Sequence, residues 1–259
     1  MFHLTVLASG SSGNCSLIET ESTRLLVDAG LSARKIGQRL ADIGVAPEQI
    51  DGILVTHEHS DHVSGISVWS RRYGTPVYAN RLTTEALSRT NEGVHWRMFV
   101  TGSEFALGEL RVQSFPISHD AAEPVGFVLS RENVGVGFLT DLGFATRLVL
   151  ERVRPVHTLV IETNHDEKLL QDDPKRPWSV KQRIFSRHGH LSNAAAAEVL
   201  AGMVSGNLRR AVLGHLSGDC NTPELALSTV RNRLAQSGGE AIEVICATQN
   251  EATPRMLVG

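Results

Sequence analysis

The segment Thr56-His57-Glu58-His59-Ser60-Asp61-His62 puts three histidines and two carboxylates within positions 57–62. Neutral imidazole and carboxylate are ligands that suit Zn²⁺, Mn²⁺ and Fe²⁺. His57 and His59, two apart, can point the same way from an extended loop, whereas Asp61 and His62 fall at the next turn and can face a second ion. One ion would struggle to use all four with good geometry, and two ions sharing the loop use them easily. The spacing is not that of HExxH zinc proteases, because four residues after His57 comes Asp61. Glu58 is therefore read as a structural neighbour rather than a general base. The competing reading is a solvated polar loop, which so many imidazoles directly after an apolar run disfavour.

Four side chains leave two ions undersaturated, and three later segments can supply the rest. His119, in Ser118-His119-Asp120, can join His57 and His59 on the first ion. Asp141, in Thr140-Asp141-Leu142-Gly143, can bridge both ions. His215, in Gly214-His215-Leu216-Ser217, can complete the second with Asp61 and His62. Each of these alone is weak, since a lone histidine after a strand is more often structural. Together they all end expected strands, and sites in α/β sheets collect at the carboxyl ends. Two divalent ions about 3.5–4 Å apart hold a bridging water, bring its pKa toward neutrality and offset charge developing on a substrate oxygen. Such a hydrolase needs no serine or cysteine nucleophile, and Ser9–Ser12 lacks the G-x-S-x-G elbow.

The elements that must carry these residues follow from short Val/Ile/Leu-rich runs alternating with amphipathic stretches. Strands are expected at His3–Leu7, Ser16–Thr20, Leu25–Asp28, Gly52–Thr56, Val77–Ala79, Arg111–Pro116, Val125–Ser130, Gly135–Thr140, Leu159–Glu162, Ala211–Leu213, Ile242–Cys246 and Pro254–Val258. Helices are expected at Ser32–Ile43, Val63–Tyr73, Thr83–Arg89, Ala145–Arg154, Asn193–Ser205 and Pro223–Ser237. Gly74 ends the second of these. Ser192 caps the fifth, which stops before Gly206, and Thr222 with Pro223 opens the last, which Gly238 follows. No Pro/Gly/Ser-rich linker divides the 259 residues, so one α/β domain is expected, with packed halves of about 1–125 and 126–259.

At 41% hydrophobic and 20% charged, the chain can bury a core. A net charge of −3 argues against a general nucleic-acid coat, so a nucleic-acid substrate needs a local basic patch. Residues 171–187 offer one, with Lys175, Arg176, Lys181, Arg183 and Arg187 against two aspartates, and with Trp178 able to stack on a base. The alternative there is a solvated lid with Trp178 beneath it. Cys15, Cys220 and Cys246 show no paired spacing. No apolar run reaches membrane-span length, and no Lys or Arg precedes Arg24 to make a secretory n-region, so a cytoplasmic protein without membrane attachment is expected.

The ordered set His57, His59, Asp61, His62, His119, Asp141 and His215 resembles the metallo-β-lactamase superfamily, whose signature is HxHxDH. The resemblance spans nearly the whole chain and implies an αββα sandwich of two mixed β-sheets flanked by helices. It makes Asp28, in Leu26-Val27-Asp28-Ala29-Gly30, a structural aspartate that orients the metal loop. A narrower likeness, to the bacterial YycJ-like (WalJ) branch, rests on Leu7–Cys15, Glu162-Thr163-Asn164-His165-Asp166, Gly189-His190-Leu191-Ser192-Asn193 and Gly214–Ser217. Thr163 stands where that branch usually has serine, and no β-CASP insertion is present. This likeness implies 5′-to-3′ DNA exonuclease activity, with DNA as the partner.

Beyond the ligands, Asp61 and His190 are the candidate catalytic groups. His190 precedes a helix N-terminus, where it can grip a phosphate or protonate a leaving oxygen. Candidate substrate contacts are Ser11, Asn14, Asn164, His190, Ser192 and Arg183. The Ser9–Asn14 loop can turn backbone N–H groups toward an anion or serve only as a tight hairpin turn. Three rivals to a phosphodiesterase remain. Hydrolysis of a thioester or lactone would use the same ligands. A diiron oxidoreductase of this fold commonly has Glu at position 59 and a following flavin domain. A non-catalytic nucleic-acid-binding module has no use for a full ligand set.

Overall fold

A computed structural model describes residues 1–89 and 91–259. In chain order it runs β1 (His3–Ala8), β2 (Cys15–Glu19), β3 (Arg24–Val27), α1 (Ala33–Asp42), β4 (Gly52–Leu54), α2 (Ser60–Val63), α3 (Ile66–Tyr73), β5 (Val77–Asn80), α4 (Arg81–Ser88), β6 (Trp96–Phe99) and β7 (Glu104–Leu107). There follow β8 (Leu110–Pro116), β9 (Val125–Arg131), β10 (Val134–Leu139), α5 (Arg147–Val153), β11 (Thr158–Glu162), α6 (Glu167–Asp172), α7 (Trp178–Phe185), α8 (Asn193–Ala201), β12 (Arg210–Gly214), α9 (Pro223–Ala235), β13 (Glu243–Cys246) and β14 (Met256–Leu257).

The strands form two seven-stranded sheets, ordered β14-β1-β2-β3-β4-β5-β6 and β13-β12-β11-β10-β9-β8-β7. Each is mixed. In the first, β14 through β3 pair antiparallel and β3 through β6 parallel; in the second, β7 through β10 pair antiparallel and β10 through β13 parallel. Strands covered on both faces read as continuous apolar runs, and the buried Thr158–Glu162 and Arg210–Gly214 strands do so. Three apolar clusters separate the four layers. One lies between the sheets around Leu4, Phe127 and Phe138, one under α1 and α3 around Ile36 and Trp69, and one under α5, α8 and α9 around Leu139, Leu200 and Val230. The expected αββα sandwich is therefore the observed architecture.

The differences from expectation are local. The chain changes sheet between Phe99 and Glu104, ahead of the division expected near residue 125, and β14 returns to the first sheet. Strands β6 and β7 and helices α6 and α7 were not among the expected elements. The helix expected from Val63 is divided into α2 and α3 at Ser64-Gly65, where Gly65 N donates to the Ala29 carbonyl at 2.8 Å instead of within the helix, and where a side chain would strike the Leu31 carbonyl. Helix α8 stops at Ala201 rather than Ser205, capped by Gly202. Gly74 does terminate α3 in the left-handed conformation, and Ser192 and Thr222 do cap α8 and α9 with their hydroxyls.

Candidate metal centre and active site

The parallel strands deliver the site. Asp28 follows β3, the His57–His62 loop follows β4, Asp141 follows β10, Glu162 ends β11 and His215 follows β12, while His119 follows antiparallel β8. Three of these residues, Asp28, Asp141 and His215, hold φ of 59°, 56° and 55°. The left-handed region costs a non-glycine residue energy and persists where surrounding structure enforces it, often at functional sites. Here it turns each side chain back across the strand end toward a common point.

Tautomers follow from what each ring nitrogen touches, since a carboxylate or carbonyl oxygen can only accept. His62 Nδ1 donates to Asp28 Oδ2 at 2.7 Å, which leaves Nε2 facing Asp141 Oδ2 at 2.9 Å. Thr56 Oγ1 donates to Asp28 Oδ2 at 2.9 Å and lies 3.0 Å from His57 Nδ1, which donates to it. His57 Nε2 is then a buried lone pair with no hydrogen-bond partner among the described residues. His119 Nδ1 donates to the Gly189 carbonyl at 3.2 Å, and its Nε2 lies 3.3 Å from His59 Nδ1. His215 Nδ1 donates to Glu162 Oε1 at 2.6 Å, and its Nε2 lies 3.2 Å from Asp61 Oδ2.

The ligand atoms of His57, His59 and His119 converge on one point, those of Asp61, His62 and His215 on a second, and Asp141 sits among both sets. Asp141 Oδ2, though close to His62, makes no aligned hydrogen bond. Orphaned ligand atoms aimed inward, with their outer nitrogens tied to oxygens, fit divalent cations, for which such tying of the outer nitrogen is the rule. The electrostatics agree. Burial pulls the His62 and His215 imidazoliums down, but Asp141 beside both, with Asp28 on His62 and with Asp61 and Glu162 on His215, overrides it. His62 rises to about 10 and His215 well above its ordinary value. Burial opposes ionisation of Asp141, yet His215 and His62 hold it well below the carboxylate range. His57, faced by other imidazoles, is pushed down by burial and then by His62. The carboxylates thus call for positive charge at their centre.

The structure brings together every residue expected as a ligand, and places Asp28 where it accepts from His62 Nδ1 and Thr56 Oγ1. Glu58 Oε1 accepts from Ala122 N at 2.7 Å, tying the His119 loop to the metal loop. Among expected substrate contacts, Ser11, Asn164, Arg183 and His190 line a cleft of about 260 Å³ over the ligands. Asn14 and Ser192 do not line it. Asn14 is buried, its amide bound to Gly10 O and Ser9 Oγ and its backbone N–H to Asp61 O at 2.8 Å, so it holds the loop from behind. The Ser192 hydroxyl caps α8 and donates to Glu167.

Most of the basic side chains of this stretch are already engaged by partners inside and outside it. Lys175 and Arg176 pair with Asp219, Arg176 also with Asp173, Arg183 with Asp120, and buried Lys181 donates to the Gln171 carbonyl. Trp178 is 61% exposed rather than tucked under a lid.

Three residues escaped the sequence reading. Thr56 links His57 to Asp28. Ser9 Oγ accepts from His215 N at 2.8 Å. Glu162, fully buried, accepts from His190 Nδ1 at 2.7 Å and His215 Nδ1 on one oxygen, and from Leu142 N and Leu191 N on the other. Burial opposes its charge, but His190 and His215 hold its carboxyl down at about 2.

Comparison with known proteins agrees with this geometry. Residues 23–216 match the family model described as the beta-lactamase superfamily domain. "Exodeoxyribonuclease WalJ" of Streptococcus pneumoniae is 38% identical over 98% of this chain and 97% of its own. "Exodeoxyribonuclease YycJ" of Bacillus anthracis is 37% identical over 93% of this chain and 94% of its own. Among solved structures, the metallo-beta-lactamase fold protein YhfI of Bacillus subtilis superposes with a TM-score of 0.74 at 15% identity, covering 98% of this chain and 99% of that one.

Proposed function

The chain belongs to the metallo-β-lactamase superfamily, and on that premise we propose that it is a phosphodiesterase that uses two divalent cations to digest DNA from the 5′ end. His57, His59 and His119 would hold one cation, and Asp61, His62 and His215 the other, with Asp141 shared. The chemistry supplied by bound cations would be to polarise a phosphoryl oxygen and acidify a water, and Zn²⁺, Mn²⁺ and Fe²⁺ all suit this donor set.

The chain's own groups do the rest. Asp61, partly open to the cleft, accepts a proton as water is consumed. His190 has Nδ1 committed to Glu162, and Nε2 is left for the substrate. Burial lowers the His190 imidazolium, but Glu162 more than offsets this and raises it above the ordinary value, which favours the protonated ring that can donate to the leaving oxygen. Arg183 at the cleft offers a guanidinium to the backbone, and exposed Trp178 offers a face to a base.

The observation that carries this reading is the double ligand set sharing one carboxylate, in a chain 37–38% identical along nearly its full length to proteins named exodeoxyribonucleases. The test incubates the protein, with Mn²⁺ or Zn²⁺, against 5′-phosphorylated duplex DNA and a thioester in parallel. Nucleotide release from the 5′ end is expected. Cleavage of the thioester alone overturns the reading.

A further inference from the structure

One wall of the cleft holds a group that neither the ligand set nor the proposed chemistry uses. Among the residues lining the cleft away from the candidate ligands are His165, Arg176, Val180, Ile184 and Ser217. His165 is 1% exposed, and neither of its ring nitrogens has a hydrogen-bond partner among the described residues. Buried polar atoms in folded proteins are nearly always paired. Two bare nitrogens in the wall of a cleft therefore point to a ligand that supplies the partner.

The ring is held, not loose. His165 O accepts from Asn193 N at 2.9 Å, Asn164 N donates to Leu191 O at 3.0 Å, and Asp166 N donates to Cys220 O at 2.9 Å, so the backbone is fixed on both sides. Phe185 packs edge-on against the ring, with centroids 5.3 Å apart. Burial strips the imidazole of charge, holding it down at about 4 despite the nearby Glu162 carboxylate, so at neutral pH it presents one N–H donor and one acceptor.

Two other polar groups on this wall can donate. Arg176 has both terminal nitrogens engaged by Asp173, Cys220 and Asp219, which leaves its Nε–H to give. Ser217 Oγ accepts from Cys220 N at 3.2 Å and has its own hydrogen to give. Convergent donors of different geometry suit the several oxygens of a tetrahedral anion better than the flat edge of a base. We propose that His165 is a substrate-positioning residue which, with Arg176 and Ser217, takes the terminal 5′-phosphate monoester of the DNA. The next phosphodiester then falls at the ligand cluster. The inference rests on the DNA reading above, and it gives the site a means of selecting chain ends over continuous strands.

The test is calorimetric titration of metal-loaded wild type and H165Q with thymidine 5′-monophosphate and with thymidine, after metal content has been matched. H165Q is expected to bind the monophosphate about tenfold more weakly, with no change for thymidine. Unchanged monophosphate affinity, or equal loss for both ligands, overturns the proposal. S217A, which removes one donor and little packing, should weaken the monophosphate in the same selective way and covers the case in which H165Q does not fold. H165Q should also raise KM for 5′-phosphorylated duplex and shrink the preference of wild type for it over 5′-hydroxyl duplex. If wild type cleaves neither duplex yet binds the monophosphate through His165, the DNA reading fails while this site stands.

Discussion

Glu162 Oε1 sits between the Nδ1 atoms of His190 and His215, to which the proposed chemistry gives different work, one toward the substrate and one as a cation ligand. Replacing it with Gln keeps the shape but puts a neutral acceptor where a charge was. E162Q should lose about 10–100-fold in activity, as outer-shell partners of metal ligands typically do. Its metal content and pH–rate profile should both change, whereas a purely structural role would move neither without lowering Tm. The His62 ring gives a pH prediction. Its folded pKa of about 10 exceeds the ordinary 6.5, so in the metal-free chain its contribution to stability is full below 6.5 and is lost as pH rises through 10. Scanning calorimetry on metal-stripped protein should show Tm falling across that window. The metal-loaded form, with His62 already neutral, should release protons on metal uptake and lack that fall. At this scale the candidate ligands were readable because HxHxDH is contiguous and imidazole-dense. Glu162 falls in a segment that carries the narrower resemblance, but its role was not readable, because a glutamate ending an apolar strand does not say what it holds; the neighbouring strand β12 reveals that.

At the level of elements, the loop after β4 is positioned by backbone rather than by side chains. Asp61 O accepts from Asn14 N, His62 O from Ala29 N, and Gly30 N donates to Asn14 O, each at 2.8 Å. Gly30 lies so close that a Cβ there would collide with the Asp61 carbonyl, a contact that a backbone cannot sidestep. G30A should therefore displace the loop, costing about 1–3 kcal/mol by overpacking and lowering bound metal. Denaturant unfolding and metal analysis check it, and a G30A protein with full metal content would refute the backbone argument. The Ser9–Asn14 turn, which sequence left open between anion cradle and hairpin, is a brace in which Asn14 faces inward. Helices α6 and α7 were illegible because charged and apolar residues alternate over segments too short to establish a period, and their starts at Asp166 and Pro177 lie in a run crowded with aspartates and prolines. Strands β6 and β7 were missed because much of each is exposed, so no buried run marks them.

Across the whole molecule, the two sheets face each other over a core that the last residues help to close. Strand β14 pairs with β1, and Met256 and Val258 are buried between the sheets. Removing residues 253–259 exposes the β1 edge and forfeits about 1.5–3 kcal/mol for each large apolar side chain uncovered. Lower Tm and a tendency to associate are expected, read by calorimetry and light scattering; an unchanged Tm would show that β14 is dispensable. The layered class was legible because alternating short apolar runs and amphipathic stretches leave few ways to pack. The sheet exchange near residue 100 was not, because a switch between sheets leaves no mark in composition. The left-handed backbone at Asp28, Asp141 and His215 has a consequence for anyone who evolves this protein in the laboratory. Glycine is the residue those three backbones prefer, and each non-glycine occupant carries strain of about 1–3 kcal/mol. A screen rewarding heat resistance alone will be drawn to these positions, and the sturdier clones it returns will have traded away their chemistry.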